Sequence, residues 1–385
     1  MMHNILLISI NSISENTGGG IYLRSIVEFL KKNNLHITLF CKKNHLPPDD
    51  DEISISELKK NRFYDIVSRL FFIPTFYLPH VIKIVSASRK YDTIAFHNAR
   101  FGLIIKLLRI IYPSKKIILF TDNFEYKLYH SRKNNFLTKL ENKIIRFNES
   151  IALKNSFCVS FITKKDKKSL QLYYKTKKTN NLILPVIISE RKIISEKAPN
   201  PSFCSLSKSK KIKIIFTASF DFFPNYSAGL EIINQAKKHS NLDFILAGRN
   251  ASMFNKYIDE DSNIHIHENL SSEDMSWLMS HSDVYYSPVF EGSGMKTKVA
   301  EAMSYGLAIL ASKHSLIGYD DVKNKFNFIL ETSPDFFKVN LDKLISYNID
   351  KSSIIKTYKL FYSPRRFHGH ELNFIYDNAK KVKDE

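Results

Sequence analysis

The chain has 385 residues, of which 44% are hydrophobic and 25% are charged, and its formal net charge is +19. This length and apolar content predict two domains with separate cores and exclude a wholly disordered chain. The positive charge indicates a negatively charged partner, which could be nucleic acid, anionic lipid or a phosphorylated substrate. The three cysteines, Cys41, Cys158 and Cys204, are scattered, so neither a disulfide framework nor a zinc site is predicted.

The first half of the chain alternates short apolar runs with helical patterns. The strand HNILLISI is followed by a loop at 11–20, a helix at about 21–32 and the strand HITLFC. A strand at 92–97, a helix near 100–111 and the strand KIILFT, which ends at Thr121, come later. This alternation predicts a doubly wound parallel sheet. The first apolar run has no basic leader and no small-residue cleavage site, which favours a buried strand over a signal peptide.

The same pattern restarts after a polar stretch rich in lysine, serine and proline at 189–211, which is the predicted linker. Strands IKIIFTAS, LDFILAG, IHIHEN, DVYYSPV and AILAS follow, with helices at 227–239 and 272–280 among them. Two Rossmann-like units in tandem predict a cleft faced by the carboxyl ends of both sheets. The predicted division is 1–195 for the first domain, 196–362 for the second, and 363–385 for a C-terminal helix that packs back on the first domain.

A glycine-rich segment, SPVFEGSGMKTKVAEAMSYG, joins a predicted strand at 283–289 to a helix at about 295–305. It is not a Walker A loop, because Met295 separates Gly294 from the following lysine. Backbone N–H groups and the positive end of the helix predict an anion site, and Gly292 and Gly294 let a ligand approach the backbone closely.

Three charged side chains belong to the start of this helix. Lys296 and Lys298 add positive charge to the anion site. Glu301 stands three residues after Lys298, so the two side chains share one helical surface. A carboxylate at that position is suited to accept hydrogen bonds from a ribose diol. The alternative is an ordinary strand-to-helix turn in which lysine and glutamate form a solvated ion pair.

A second glycine run, TGGGIYLRS, follows the first predicted strand. Gly18, Gly19 and Gly20 leave the backbone bare at the start of a helix, as an anion site requires. The spacing is not Gly-x-Gly-x-x-Gly, and no acidic residue follows the second strand, so a nicotinamide dinucleotide site is not predicted. A flexible turn is the alternative.

With these motifs the sequence resembles the GT-B nucleotide-sugar glycosyltransferases, in particular the retaining family 4 type that includes bacterial capsule and surface-polysaccharide enzymes. The stretch from FTASFDFFPN to MSYGLAILAS is similar to that family's donor-binding domain. The segments TDNFEYKLYHSRK and RFNESIALKNSFCVSFITKK are similar to its acceptor-binding domain. The resemblance implies an α/β GT-B fold, with two Rossmann-like domains facing a central cleft.

The activity that this resemblance implies is retaining transfer of a sugar from a UDP- or GDP-linked donor to a hydroxyl group. The acceptor would be a glycan or a lipid-linked oligosaccharide, as in capsule or lipopolysaccharide synthesis. No cofactor is expected besides the nucleotide sugar, which is a co-substrate.

The resemblance also implies roles for individual residues of this chain. Glu301 matches the glutamate that binds the ribose hydroxyls. Glu291 stands ten positions before Glu301, where the commoner family pattern has its sugar-contacting glutamate eight positions before. The implied donor-binding residues are Gly19, Gly20, Glu291, Gly292, Ser293, Gly294, Met295, Lys296, Lys298 and Glu301.

The implied chemistry needs no dedicated nucleophile, since the acceptor can attack on the face that the diphosphate vacates. Asp122, which stands where relatives often have histidine, and His97 end adjacent predicted strands and are the candidate catalytic residues. A structural hydrogen-bonding role is the alternative for His97. No metal is expected, because the acidic run Asp49–Asp51 lies in a polar loop after two prolines, and His265 and His267 have no third ligand nearby.

The predicted location follows from the charge and from an aromatic stretch. The run RLFFIPTFYLPHVIKIV contains two prolines, a histidine and a lysine, so it is too interrupted to span a bilayer. Arg62, Arg69, Arg89 and Lys90 accompany it. These features predict a cytoplasmic protein bound peripherally to the inner face of an anionic membrane, with aromatic residues at 71–77 inserted. Packing of those aromatic residues in the core is the alternative.

Two other functions remain open from the sequence. A nucleotide-sugar epimerase or another GT-B enzyme would share the donor site and lack the glycan or lipid acceptor. A basic nucleic-acid-binding protein would account for the charge. The chain has no recognisable nucleic-acid-binding motif, so nucleic acid is not the expected partner.

Overall fold

The computed structural model describes residues 3–15, 17–42, 53–130, 136–176, 180–189, 200–259, 262–291, 294–348 and 350–373. The chain divides into two compact units, unit 1 with Met1–Ile187 and Pro364–Glu385, and unit 2 with Ile188–Ser363. The sequence predicts the first boundary at 195/196, inside a stretch that lies outside the described residues.

Unit 1 contains a seven-stranded sheet in which all neighbouring strands are parallel, in the order β3-β2-β1-β4-β5-β6-β7. Its strands are β1 (His3–Ser9), β2 (Leu35–Lys42), β3 (Ile53–Leu58), β4 (Thr93–His97), β5 (Lys116–Phe120), β6 (Cys158–Phe161) and β7 (Asn181–Ile183). Its helices are α1 (Gly18–Lys32), α2 (Arg62–Leu70), α3 (Val81–Ser88), α4 (Gly102–Ile111), α5 (Glu125–His130), α6 (Phe136–Asn155) and α7 (Lys164–Tyr173), with short 3-10 helices at Leu78–His80, Ala99–Phe101 and Pro364–Arg366.

The central strands of unit 1 form around apolar runs, which are ILLI in β1 and IAF in β4. All five residues of β4 are buried, and so are the last five of β1, which is expected of parallel strands covered on both faces. α1 begins where the Thr17 side chain accepts a hydrogen bond from Gly20 N at 3.2 Å, and Lys31 and Lys32 lie in its last turn. Both features favour a helix with these ends.

The C-terminal segment packs on α1. The Phe367 ring lies 5.1 Å from the Phe29 ring, and Asn33 donates to Glu371 at 3.0 Å and accepts from Leu372 N at 3.0 Å. The sequence predicts a helix at 363–385. Residues 364–366 form a short 3-10 helix and residues 367–372 form bends and turns, Asn373 is helical, and the rest of that prediction lies outside the described residues.

Unit 2 contains a six-stranded, all-parallel sheet in the order β10-β9-β8-β11-β12-β13. Its strands are β8 (Ile212–Thr217), β9 (Leu242–Ala247), β10 (Ile264–His267), β11 (Val284–Ser287), β12 (Ala308–Ala311) and β13 (Ile329–Glu331). Its helices are α8 (Cys204–Lys208), α9 (Phe223–Lys238), α10 (Ser272–Ser280), α11 (Thr297–Ser304), α12 (Phe337–Ser346) and α13 (Lys351–Tyr362), with 3-10 helices at Pro201–Phe203, Ala251–Tyr257 and Pro334–Phe336.

Two elements of unit 2 differ from the sequence prediction. α9 starts at Phe223 and not at 227, because Pro224 in its first turn is preorganised for a helix. The predicted linker is partly structured: Phe203 is buried and its ring stacks on Trp277 at 5.2 Å, so the segment around α8 is anchored to the unit.

Both sheets reverse their strand order at one point, between β1 and β4 in unit 1 and between β8 and β11 in unit 2. Ligands of open parallel sheets bind outside the carboxyl ends of strands at such a switch point. The two glycine-rich segments follow β1 and β11, so each lies at the switch point of its own unit. Within the described ranges, every helix is too short or too polar to cross a bilayer.

Candidate functional site

The glycine-rich segment of unit 2 leaves β11 through a firmly held turn. The Ser315 hydroxyl donates to Ser287 O at 2.9 Å, and the Ser312 hydroxyl donates to Val289 O. Beyond this point Glu291 is exposed, and Gly292 and Ser293 lie outside the described residues.

The turn then enters α11. Gly294 has a φ of 72°, a left-handed conformation that favours glycine, and Met295 is buried. The backbone can therefore turn sharply here, with the following side chain fixed in the core.

The start of α11 is suited to an anion. Lys296 is the N-cap residue, makes no side-chain capping hydrogen bond, and is followed by a first turn without acidic residues. The Tyr319 hydroxyl donates to Lys296 O at 2.7 Å and accepts from Ala300 N at 2.9 Å. Tyr319 is completely buried, so it holds the first turn rigidly against the unit. The positive end of a rigid helix attracts negative charge.

The three charged residues of this segment have different surroundings. Burial lowers the pKa of the Lys296 amine to about 8. Lys298 Nζ lies 2.6 Å from Glu301 Oε2, as the spacing predicts, and the Lys298 side chain is 41% exposed while that of Glu301 is 13% exposed. Lys298 thus orients the Glu301 carboxylate, and Lys296 is the more enclosed cation.

The loop after β8 supplies a second set of groups at the same edge of the sheet. Phe222 and Phe223 are exposed there. Asp221 accepts from the Arg249 side chain at 2.7 Å, which places Arg249, directly after β9 and Gly248, near this loop. The sequence prediction missed Arg249, although the Gly-Arg-Asn turn after a buried strand was a usable signal.

In unit 1 the three glycines differ in their packing. A Cβ on Gly20 would lie 2.2 Å from the backbone oxygen of Glu15, and one on Gly19 would lie 2.7 Å from the Asn11 side chain. A Cβ on Gly18 would meet no described atom within 4 Å. Gly20 is therefore needed for close packing of the loop on α1, and Gly18 is the open position of the three.

The loop before α1 is also fixed by charged side chains. Arg24 donates to Ile13 O at 2.6 Å and to Glu15 O at 2.9 Å, and Lys42 pairs with the Glu15 carboxylate at 2.5 Å. The rigid loop holds the N-terminus of α1 at the switch point of unit 1.

The two candidate catalytic residues lie together in unit 1. His97 Nε2 is 3.9 Å from Asp122 Oδ2, and His97 Nδ1 is 2.8 Å from Ser9 Oγ. Burial lowers the pKa of His97 to about 3, so its imidazole is neutral. Burial, with a smaller contribution from the Glu125 charge, raises the pKa of Asp122 to about 7, although the nearby Arg100 opposes that shift. A carboxyl group that titrates near neutral pH can take up or release a proton during a reaction.

Two hydroxyl groups that the sequence prediction missed lie in the same region. Tyr22 Oη, Ser160 Oγ and His97 Nε2 are buried close together, with Tyr22 beside Ser160 and His97 beside Asp122. The Tyr22 and His97 rings meet edge to face at 5.6 Å. Buried polar atoms are normally hydrogen-bonded, so these three are candidates for contacts with a ligand hydroxyl.

A buried polar network fixes the start of α5, three residues after Asp122. Glu125 accepts from Asn98 at 3.1 Å and from Arg100 at 2.8 and 3.0 Å. Glu149 accepts from Glu125 N at 2.9 Å and from Tyr174 Oη at 2.6 Å, and burial raises the pKa of Glu149 to about 8. The network fixes the segment that directly follows Asp122 in the sequence.

Asn98, directly after β4, has a φ of 97°. Such a backbone conformation is unfavourable for a residue other than glycine and is often found at functional sites.

The structure describes no metal site. Among the described residues, no group of three or more His, Cys, Asp or Glu side chains is placed to hold a metal ion. His265 Nε2 is 3.6 Å from Asp243 Oδ1, and His267 packs edge to face on Phe203, so both histidines have structural contacts. The acidic run at 49–51 lies outside the described residues.

The features of unit 2 fall within one stretch of sequence that is shared with known proteins. Residues 211–345 match the family model of the Glycosyl transferases group 1. The matched residues contain β8 to β13, the glycine-rich turn and α11. No curated protein matches the chain by sequence.

Solved structures align over nearly the whole chain. Sucrose-phosphate synthase (tll1590) from Thermosynechococcus elongatus has a TM-score of 0.67 at 14% identity, covering 99% of this chain and 100% of that one. Anabaena Alr3699/HepE in complex with UDP-glucose has a TM-score of 0.65 at 11% identity, covering 97% and 99%. The E. coli trehalose-6-phosphate structure bound with UDP-2-fluoro glucose has a TM-score of 0.62 at 12% identity, covering 97% and 98%. The fold is therefore α/β with two parallel sheets, matching GT-B glycosyltransferase structures.

Proposed function

We propose that the protein is a retaining glycosyltransferase that moves a sugar from a UDP- or GDP-linked donor to a hydroxyl of a glycan or lipid-linked acceptor. The observation that carries this proposal is the start of α11. This helix N-terminus is rigid, and it carries an enclosed lysine and, on the next turn, a carboxylate. It lies at the switch point of the unit whose sequence matches the glycosyl transferases group 1. The neighbours solved with UDP-glucose and UDP-2-fluoro glucose support a nucleotide sugar as the donor.

We assign the donor to unit 2. The backbone of the turn, Gly292 to Met295, would approach the diphosphate, Lys296 would supply its countercharge, and Glu301, oriented by Lys298, would accept hydrogen bonds from the ribose diol. Glu291, which is exposed, remains the candidate for a contact with the sugar.

We assign the acceptor to unit 1. There the polar atoms of His97, Asp122 and Ser160 lie at the carboxyl ends of β4, β5 and β6, and Tyr22 of α1 lies beside them. Gly19 and Gly20 remain candidates for approaching the donor phosphates. Gly20 already has a packing reason for being glycine, so its sequence identity alone does not support that role.

The proposed chemistry places charge where the site can stabilise it. The bond between the acceptor oxygen and the anomeric carbon forms as the bond from that carbon to the phosphate oxygen breaks, and the leaving diphosphate keeps the electron pair. Its growing negative charge is stabilised by the helix N-terminus and Lys296. The acceptor proton passes to a phosphate oxygen or to Asp122. No step requires a metal ion or a further cofactor.

We further propose that the acceptor belongs to cell-surface polysaccharide synthesis, such as capsule or lipopolysaccharide, and that the enzyme works at the cytoplasmic face of an anionic membrane. The net charge of +19 and the family resemblance of the donor segment support this location.

Transfer from radiolabelled UDP- and GDP-sugars to a bacterial lipid extract tests the proposal. We expect label in the lipid fraction, release of the nucleoside diphosphate only when extract is present, and no loss of activity with a chelator. Interconversion of the sugar without transfer would identify an epimerase instead. Absence of any reaction with all donors and extract would contradict a transferase.

A further inference from the structure

One face of α2 is apolar and exposed. Phe63, Ile66 and Leu70 lie at helical spacing on this face and are 68%, 58% and 73% exposed. The next two residues along the chain, Phe71 and Phe72, are 63% and 53% exposed. A folded protein normally turns such a face toward its core, so an exposed one indicates a binding surface.

α6 extends this surface. Phe72 and Phe147 meet edge to face at 6.3 Å, and Arg69 of α2 pairs with Glu141 of α6 at 3.3 Å. Phe147 and Leu140, spaced by two helical turns, are 48% and 44% exposed. We call Phe63, Ile66, Leu70, Phe71, Phe72, Leu140 and Phe147 the α2–α6 apolar surface.

The backbone keeps Phe72 on this surface at an energetic cost. Phe72 has a φ of 60°, at the position after the end of α2 where glycine is preferred. Phe72 N donates to Arg69 O at 3.0 Å, Ile73 N donates to Ser68 O at 2.9 Å, and Asn148 donates to Phe72 O at 2.6 Å. A glycine would adopt this turn without strain, so an aromatic ring at this position points to a role outside the fold.

Phe76 and Tyr77, which follow this turn in the sequence, are buried and do not belong to the surface. Phe76 and Tyr77 are buried in the core of unit 1, so the prediction that the aromatic stretch 71–77 as a whole is available for insertion is wrong for these two. The reason is local: the turn at Phe72 reverses the chain, and the Tyr77 hydroxyl donates to Ser9 O of β1.

Basic side chains accompany the α2–α6 apolar surface. Lys59, Lys60 and Arg62 are exposed just before and at the start of α2, and Lys143 is exposed between Leu140 and Phe147 on α6. Exposed aromatic residues beside lysine and arginine complement a bilayer of anionic lipid, in which the rings enter the interface and the cations meet headgroups.

We propose that the α2–α6 apolar surface is the site at which this protein docks on an anionic lipid bilayer. This inference deepens the proposed membrane location and rests on it for the choice of partner. Docking by unit 1 would bring the proposed acceptor-binding unit to the lipid phase.

Flotation of the full-length protein with vesicles tests the proposal without any nucleotide sugar, so the result is independent of sugar transfer. We expect binding to phosphatidylglycerol-containing vesicles, weaker binding at high salt, and little binding to pure phosphatidylcholine. Phe63→Ser and Phe71→Ser should each reduce the vesicle partition coefficient by about tenfold, the factor that corresponds to about 1.4 kcal/mol. The controls are Phe336→Ser and Leu360→Ser in unit 2, which change apolar residues that are each 60% exposed. Neither control should alter the vesicle partition coefficient.

Phe72→Gly is the sharpest variant, because glycine suits the left-handed backbone. We expect its melting temperature to equal or exceed that of the wild type while its vesicle binding falls about tenfold. The proposal would be overturned if this variant bound vesicles as well as the wild type, or if the wild-type protein did not bind anionic vesicles at low salt. A wild-type dimer that Phe63→Ser converts to a monomer in analytical ultracentrifugation would also overturn it, because the surface would then be a contact between two copies.

Discussion

At the scale of single residues, Lys296 and Lys298 differ although they are two positions apart. Lys298 is already paired with Glu301, whereas burial at the N-cap of α11 lowers the pKa of Lys296 to about 8. We therefore expect Lys296 to provide the positive charge beside the diphosphate and Lys298 to hold the ribose-binding carboxylate in place.

This difference predicts a pH-dependent donor affinity. Above pH 8 the Lys296 amine loses its proton in the free protein and must regain it to meet the diphosphate. The donor dissociation constant should then rise by up to about tenfold per pH unit. Lys296→Arg should show little change between pH 7 and 9, because a guanidinium stays charged. Calorimetric titrations with a UDP- or GDP-sugar at pH 7, 8 and 9 measure this. Identical pH profiles for the wild type and Lys296→Arg would assign the titration to another group.

Asp122 gives a second residue-scale prediction. Its pKa is raised from 3.8 to about 7 in the folded protein, so its ionisation lowers stability as pH rises from about 4 to 7. Asp122→Asn removes that penalty and should melt at the same or a higher temperature at pH 8. If Asp122 accepts the acceptor proton, kcat/KM of the wild type rises with pH through about 7. In the variant, kcat/KM should no longer rise with pH in this range and should be lower by about a hundredfold or more. A variant with wild-type rate and pH profile would leave a phosphate oxygen as the proton acceptor.

At the scale of elements, the start of α1 depends most on Gly20, where a Cβ would meet backbone, whereas at Gly19 it would meet the Asn11 side chain. Gly20→Ala should destabilise the protein, because the new Cβ would lie 2.2 Å from the Glu15 backbone oxygen. Gly18→Ala is the matched control and should be neutral or stabilising by up to about 1 kcal/mol, since alanine favours a helix. Urea unfolding of both variants measures the difference. Equal stability of the two would mean that the loop before α1 moves freely.

The sequence could predict the elements whose signal is local. Strands such as β1, β4 and β8 each contain a short apolar run, and the turn before α11 carries its own glycines. The edge strand β7 has only three half-buried residues, which leaves no pattern to detect. The outward apolar face of α2 also has no sequence signal, because an apolar stripe at helical spacing normally packs against a core.

The polar part of the candidate site in unit 1 was beyond sequence reasoning for a different reason. Its residues come from three segments, at 98–100, at 125 and at 149, which meet because the chain folds with β4 and β5 as neighbours. Their spacing along the chain follows no motif. The Lys298–Glu301 pair, by contrast, lies on one helix and follows from spacing alone.

At the scale of the whole molecule, unit 1 is discontinuous, since its last segment returns after unit 2. Truncation after Ser363 removes Phe367 and Leu372 from their contacts with α1. We expect the free energy of unfolding of unit 1 to fall by roughly 3 to 6 kcal/mol, which is the value for burying two apolar side chains. In calorimetry one unfolding transition should shift to lower temperature while the other stays. A uniform shift of all transitions would mean that the two units unfold together.

The central claim concerns unit 2: that α11 and the turn before it hold a nucleotide sugar, with Glu301 on the ribose. Isothermal titration of UDP- and GDP-sugars into wild type and Glu301→Ala tests it most directly. Asp342→Ala, which removes a carboxylate from the Lys338–Asp342 pair on α12, serves as the control. The account predicts binding to the wild type and to the control, and about ten- to a hundredfold weaker binding to Glu301→Ala. Unchanged affinity in Glu301→Ala, or a wild-type protein that binds no nucleotide sugar, would contradict it.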